Sequence, residues 1–152
     1  MVKDVDAEAL SLLRAVLALG RRLRSGRPEG AVTLAAISLL GTLGRLGPMP
    51  AVQLAAEERL QPQSLTRIVA GLERDGLIER RKDLEDQRAL IIALTERGRT
   101  VLADDLRARQ AWLRDAMLRA LSGDERAALI AAADIMLKLA FDGYGRTVGA
   151  GS

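Results

Sequence analysis

A mainly α fold carrying one small β-hairpin is predicted by three observations on this 152-residue chain. Apolar residues recur at helical spacing along most of its length. Two short helical patterns meet at a tight break, Gln61-Pro62. Two short strands then flank a polar turn at residues 83–88. Helix, turn, helix and hairpin in this order is the layout of a winged helix-turn-helix, a unit that places one helix in the major groove of DNA. The lobe is read as 33–95 of a single chain, 1–152. Helices at 6–24 and 96–142 are expected to form a dimerisation layer.

Composition limits the alternatives. Apolar residues make up 49% of the chain but aromatics only 2%, so the core must be built from Leu, Ile, Val and Ala. There is no cysteine and no histidine. That excludes disulfides, thiolate redox chemistry and Cys/His zinc sites, and removes the commonest general base. No cofactor and no metal are expected. No apolar run approaches the roughly 18 residues that span a bilayer, and the first six residues lack the apolar region of a secretory signal. The chain is therefore expected to be cytoplasmic, without a membrane partner. Net charge is +3, and 20 of the 23 basic residues are Arg. The planar guanidinium fork suits phosphates and guanine edges. A high-GC genome gives the same bias, so the positions of the arginines weigh more than their number.

The elements follow in order. Residues 7–24 form a first helix whose Leu10, Leu13, Val16, Leu17, Leu19 and Leu23 cover more than one face. Such a helix is buried on two sides, the second expected to be a partner subunit. A basic cluster, Arg21, Arg22, Arg24 and Arg27, breaks at Gly26, Pro28 and Gly30. Thr33 caps a second helix, 34–46, which ends at Gly47-Pro48. A third helix is read over 53–60, with Pro50 at its start. In the fourth, 63–75, Leu65, Ile68, Val69 and Leu72 form one apolar stripe, Pro62 fits the first turn and Gly76 the position just past the end. Strands at 77–82 and 89–94 follow. Thr95 caps a long helix to about 119, and Ser122 with Glu125 reads as a capping box opening the last helix. The Gly-rich segment 143–152 is expected to be a flexible tail.

The remaining faces of the fourth helix carry Gln63, Ser64, Thr66, Arg67, Ala70 and Arg74. These are short polar and cationic groups with no bulky apolar residue, and they form the candidate reading surface. Gln63 can bridge adenine, Ser64 and Thr66 can bond phosphates or base edges, and Arg67 can bridge guanine O6 and N7 for roughly 1–3 kcal/mol of discrimination. The helix N-terminus offers free N–H groups to a phosphate. Arg88 at the hairpin tip suits the minor groove, where the negative potential is strongest. Asp86 can hold Arg88 or close the turn.

The stretch Asp86-Gln87-Arg88, then Leu94-Thr95 after five residues, fits an Asp-x-Arg pattern ending in Leu-Thr. Before it, Ser64-Leu65-Thr66-Arg67-Ile68-Val69, Leu72-Glu73 and Gly76-Leu77-Ile78-Glu79-Arg80 stand at matching spacings. Together these resemble the MarR family of multiple-antibiotic-resistance-type regulators, over nearly the whole chain. The resemblance implies an obligate homodimer with intertwined first and last helices, bound to a pseudo-palindromic operator on double-stranded DNA. It also implies a repressor role and, as in many members, release by a small aromatic ligand. Ser64, Thr66 and Arg67 then fall on the recognition helix and Arg88 on the wing arginine. The chain departs from the family pattern in its Pro62 start and in lacking the oxidation-sensing cysteines. A ligand pocket between dimer layer and DNA lobe is expected to be lined by Leu17, Arg21, Leu40 and Trp112.

One other class stays open, and an enzyme is not expected. A winged helix can present the same face to proteins, and residues 59–88 carry seven bases against six acids. A metal-dependent enzyme would need converging carboxylates. Asp104 and Asp105 stand about 100° apart around a helix and do not converge.

Overall fold

The computed structural model describes residues 2–27, 29 and 31–142. Pro28, Gly30 and the expected tail 143–152 lie outside the described residues. The described chain is mainly helical, with one two-stranded antiparallel sheet. In order, the elements are α1 (Val2–Ser25), α2 (Leu34–Leu46), α3 (Ala51–Glu57), α4 (Pro62–Arg74), β1 (Ile78–Lys82), β2 (Leu90–Leu94), α5 (Glu96–Ala120) and α6 (Gly123–Ala140). The chain divides within α5 into two compact units, Met1–Gln110 and Ala111–Ser152. No described helix is long and apolar enough to cross a membrane.

The first unit holds the core. Leu39, Leu40 and Leu54 are fully buried, joined by Leu65, Val69 and Leu72 from α4 and by Leu77, Ile78, Ile92 and Leu94 from the hairpin. Val101 and Leu102 of α5 pack against this cluster. The core is aliphatic, as the near absence of aromatics requires. The α4 stripe is buried as its spacing predicts, with Ile68 partly covered.

Local signals fix most boundaries. The Thr33 hydroxyl accepts from Ala36 N at 3.2 Å and caps α2. Pro62 takes the first turn of α4, where its missing N–H is no loss. Gly76 has φ +71, the left-handed conformation that ends a helix cheaply only at glycine. β1 pairs with β2 from Ile78↔Leu94 to Lys82↔Leu90. Met49 adds an isolated bridge to Ile92. In the second unit, Ser122 and Glu125 form the reciprocal capping box of α6.

Two helices, α1 and α3, depart most from the sequence reading. α1 begins at Val2, because Asp4 in its first turn favours the helix dipole and nothing before residue 7 breaks the helix. α3 begins at Ala51 with Pro50 as its N-cap and ends at Glu57. Arg59 at φ +51 stops it before Leu60.

Candidate nucleic-acid interface

α4 is held from below by Leu65, Val69 and Leu72, so its opposite face is turned to solvent. Gln63, Ser64, Thr66, Arg67 and Arg74 are all exposed there. Gln61 provides no side-chain cap, so the first-turn N–H groups at Gln63 and Ser64 remain available to an anion. The Arg67 guanidinium makes no hydrogen bond or ion pair among the described residues. Arg74 lies 3.8 Å from Asp75, both well exposed, a contact worth little in water. Thr66 donates to Pro62 O at 2.8 Å. Its hydroxyl proton is therefore engaged, leaving an acceptor oxygen and a methyl group for a partner.

The hairpin is tied to this helix. Arg80 Nε lies 3.3 Å from Glu73 Oε2, linking β1 to the last turn of α4. The hairpin tip is closed by its own acids. Asp83 Oδ1 accepts from Glu85 N at 2.9 Å, and Asp86 Oδ1 accepts from Arg88 N at 3.0 Å. Asp86 thus closes the turn through the backbone of Arg88. The Arg88 side chain is exposed, with no ion-pair partner among the described residues. The mixed charge of the wing has a structural cause: two of its carboxylates are turn closers, while Arg81, Lys82 and Arg88 face outward. The exposed face of α4 offers no large apolar residue on which a protein partner could anchor.

A cleft of about 710 Å³ opens in the first unit, lined by Leu23, Leu34, Ile37 and Leu106 together with Arg24 and Arg109. None of the four expected pocket residues lines it. Leu40 is 0% exposed and belongs to the core. It stands about 60° around α2 from Ile37, while Leu34, Gly41 and Gly44 continue the cleft wall. Leu17 and Arg21 are exposed on α1, and Trp112 falls in the second unit.

Two polar constellations were not visible in the sequence. Asp105, 5% exposed, bonds Arg27 Nε at 2.6 Å through Oδ1 and forms an ion pair with Arg109 through Oδ2. Arg27 also donates to Val32 O at 2.7 Å. Asp104 turns the other way, to Arg107 at 2.5 Å, so the adjacent carboxylates diverge as their helical step requires. Glu58 accepts from Ser38 Oγ at 2.9 Å and from Thr42 Oγ1 at 2.5 Å. No cluster of metal-ligating side chains occurs among the described residues.

Comparison with known proteins converges on one family. A family model described as the MarR family matches residues 32–90. An uncharacterised HTH-type transcriptional regulator of Mycobacterium bovis is 39% identical over 137 residues, covering 90% of this chain and 95% of that protein. A Pseudomonas aeruginosa protein assigned as a transcriptional regulator has a crystal structure with TM-score 0.80 and 33% identity, covering 92% of this chain and 96% of its own. The fold is shared with Bordetella bronchiseptica BpsR, whose DNA binding is regulated by 6-hydroxynicotinic acid (TM-score 0.60, 18% identity, 86% of this chain and 98% of that one). These relatives are regulators and not enzymes. The exposed cationic helix, the adjoining wing and these matches place the chain in the MarR family of DNA-binding transcriptional regulators.

Proposed function

We propose that this regulator is a homodimeric repressor of a pseudo-palindromic operator. α4 enters the major groove with Gln63, Ser64, Thr66, Arg67 and Arg74, and Arg88 enters the adjacent minor groove from a tip that Asp86 closes. The observation that carries this reading is the pair of uncommitted guanidiniums, Arg67 on α4 and Arg88 on the wing, both exposed. An arginine without an intramolecular partner pays no pairing penalty when it bonds a base or phosphate.

The dimer is supported by apolar surface that a lone chain leaves wet. On α1, Leu10, Leu13, Val16 and Leu17 are 44–52% exposed. On α6, taken by itself, Ile130, Ile135, Leu137 and Leu139 are 54–69% exposed and no residue is buried. Apolar stripes of this length mark association surfaces. A twofold dimer would set the two reading helices about one DNA turn, ~34 Å, apart.

The cleft supports release by a small aromatic acid. Its aliphatic wall suits a ring, and Arg24 suits a carboxylate. BpsR responds to a ligand of that chemistry. Electrophoretic mobility shift with DNA from upstream of the coding region tests the main reading. Wild-type protein is expected to shift it and the Arg67→Ala, Arg88→Ala double variant to fail. Equal shifts by both proteins would remove the assigned surface.

A further inference from the structure

We infer that Glu58 is a positioning residue for the DNA-reading helix, clamping the α3–α4 turn to α2 through Ser38 and Thr42. The inference rests on the reading of α4 as the base-reading helix. Ser38 and Thr42 stand one turn apart on the same face of α2. Both hydroxyls donate to one carboxylate, at 2.9 and 2.5 Å. Bonds from hydroxyl to carboxylate are short and roughly twice as strong as neutral ones.

Glu58 is the C-cap of α3, and only Arg59, Leu60 and Gln61 separate it from Pro62. Arg59 holds a left-handed φ of +51, and Leu60 N donates to Ala55 O at 3.0 Å. The turn is therefore short and strained, and it leads directly into Gln63 and Ser64. A small movement of Glu58 is carried to the N-terminal end of the reading helix with little slack to absorb it. Sequestering α3 does not need this carboxylate, because Leu54 is already fully buried. Apolar groups at 38, 42 and 58 would stabilise the junction as well. Two converging hydroxyls add direction, which apolar packing does not supply. Thr42 is 8% exposed, whereas Ser38 is exposed and lies on the cleft wall. Water can replace the Ser38 bond, so the Thr42 bond carries most of the effect.

The test measures affinity for two duplexes by fluorescence anisotropy, alongside thermal melting. One duplex is selected from random-sequence DNA by the wild-type protein; the other is its scramble. Glu58→Gln and Thr42→Val are each expected to weaken the selected duplex about tenfold and leave the scramble nearly unchanged, while the melting midpoint falls by only a few degrees. Combining them should add little, because both act on the same Thr42–Glu58 contact, one by removing the hydroxyl and the other by removing the charge of its acceptor. Ser38→Ala should have a smaller effect, and Thr42→Ser, which keeps the hydroxyl, should behave as wild type. If Glu58→Gln does not fold, the nearly isosteric Thr42→Val decides alone. Two results overturn the clamp: an unchanged ratio of the two affinities, or both affinities falling together with the melting midpoint. Arg67→Ala separates the failures. If that variant keeps sequence preference, the reading of α4 is wrong. If it loses preference while Glu58→Gln and Thr42→Val keep theirs, only the clamp fails.

Discussion

The Thr95 hydroxyl donates to the carbonyl of Gly76 at 2.6 Å. Thr95 Oγ1 in turn accepts from Gly98 N at 3.0 Å, and Thr95 N donates to Leu77 O at 3.1 Å. One residue thus caps α5 and holds the end of the hairpin against the exit of α4. Helix and wing reach DNA as one surface only if this junction is rigid. Thr95→Ala removes a cap and an interelement bond, and should destabilise the fold by about 1–2 kcal/mol in denaturant melts.

Gly98 is the second part of that junction. A Cβ there would lie 2.0 Å from Leu77 O, a backbone atom that cannot step aside. Gly98→Ala should destabilise by about 1–3 kcal/mol or more, although alanine is the better helix former. Stability equal to wild type would show that α5 can move away from β1 freely.

Elements and caps were legible because their causes are local. Thr33, Pro62, Gly76 and the Ser122–Glu125 pair all announce themselves within four residues. The exposed face of α4 was legible because the apolar stripe of one helix fixes its opposite side. The pairing of Arg27 with Asp105 was not, because the two stand 78 residues apart and meet only after α1, α2 and α5 pack. The Glu58 clamp and the Thr95–Gly76 bond span 20 and 19 residues and depend on the same packing. The burial of Leu40 in the core was not legible, because periodicity alone does not say which of two neighbouring stripes on α2 meets it.

Asp105 neutralises a guanidinium that is only 10% exposed. Asp105→Ala leaves Arg27 buried without its counter-charge and should cost about 3–5 kcal/mol. The Arg27→Met, Asp105→Leu double variant should recover most of that loss, since Arg109 is one-third exposed and can turn to water. A double variant as unstable as Asp105→Ala would mean the pair acts through something other than charge burial.

The capping box gives a pH dependence. Ser122 N donates to Glu125 Oε2 at 2.7 Å, and this bond, with that of the Ser122 side chain, holds the Glu125 carboxyl below its usual range. A lowered folded value means stabilisation that is complete above the unfolded glutamate value, about 4.3, and lost as pH falls through the folded one. The stability advantage of wild type over Glu125→Gln should therefore be constant near neutrality and shrink toward acid. An advantage that grows on acidification would contradict the assignment.

Operator recognition as proposed requires two copies of α4 reading base edges side by side, each with an Arg88 beside it. Selection of random-sequence duplexes by the purified protein, followed by sequencing, tests this most directly. The expected product is an inverted repeat with half-site centres about 10 base pairs apart, no longer enriched by the Arg67→Ala, Arg88→Ala variant. A single asymmetric site, or no enrichment at all, would contradict it.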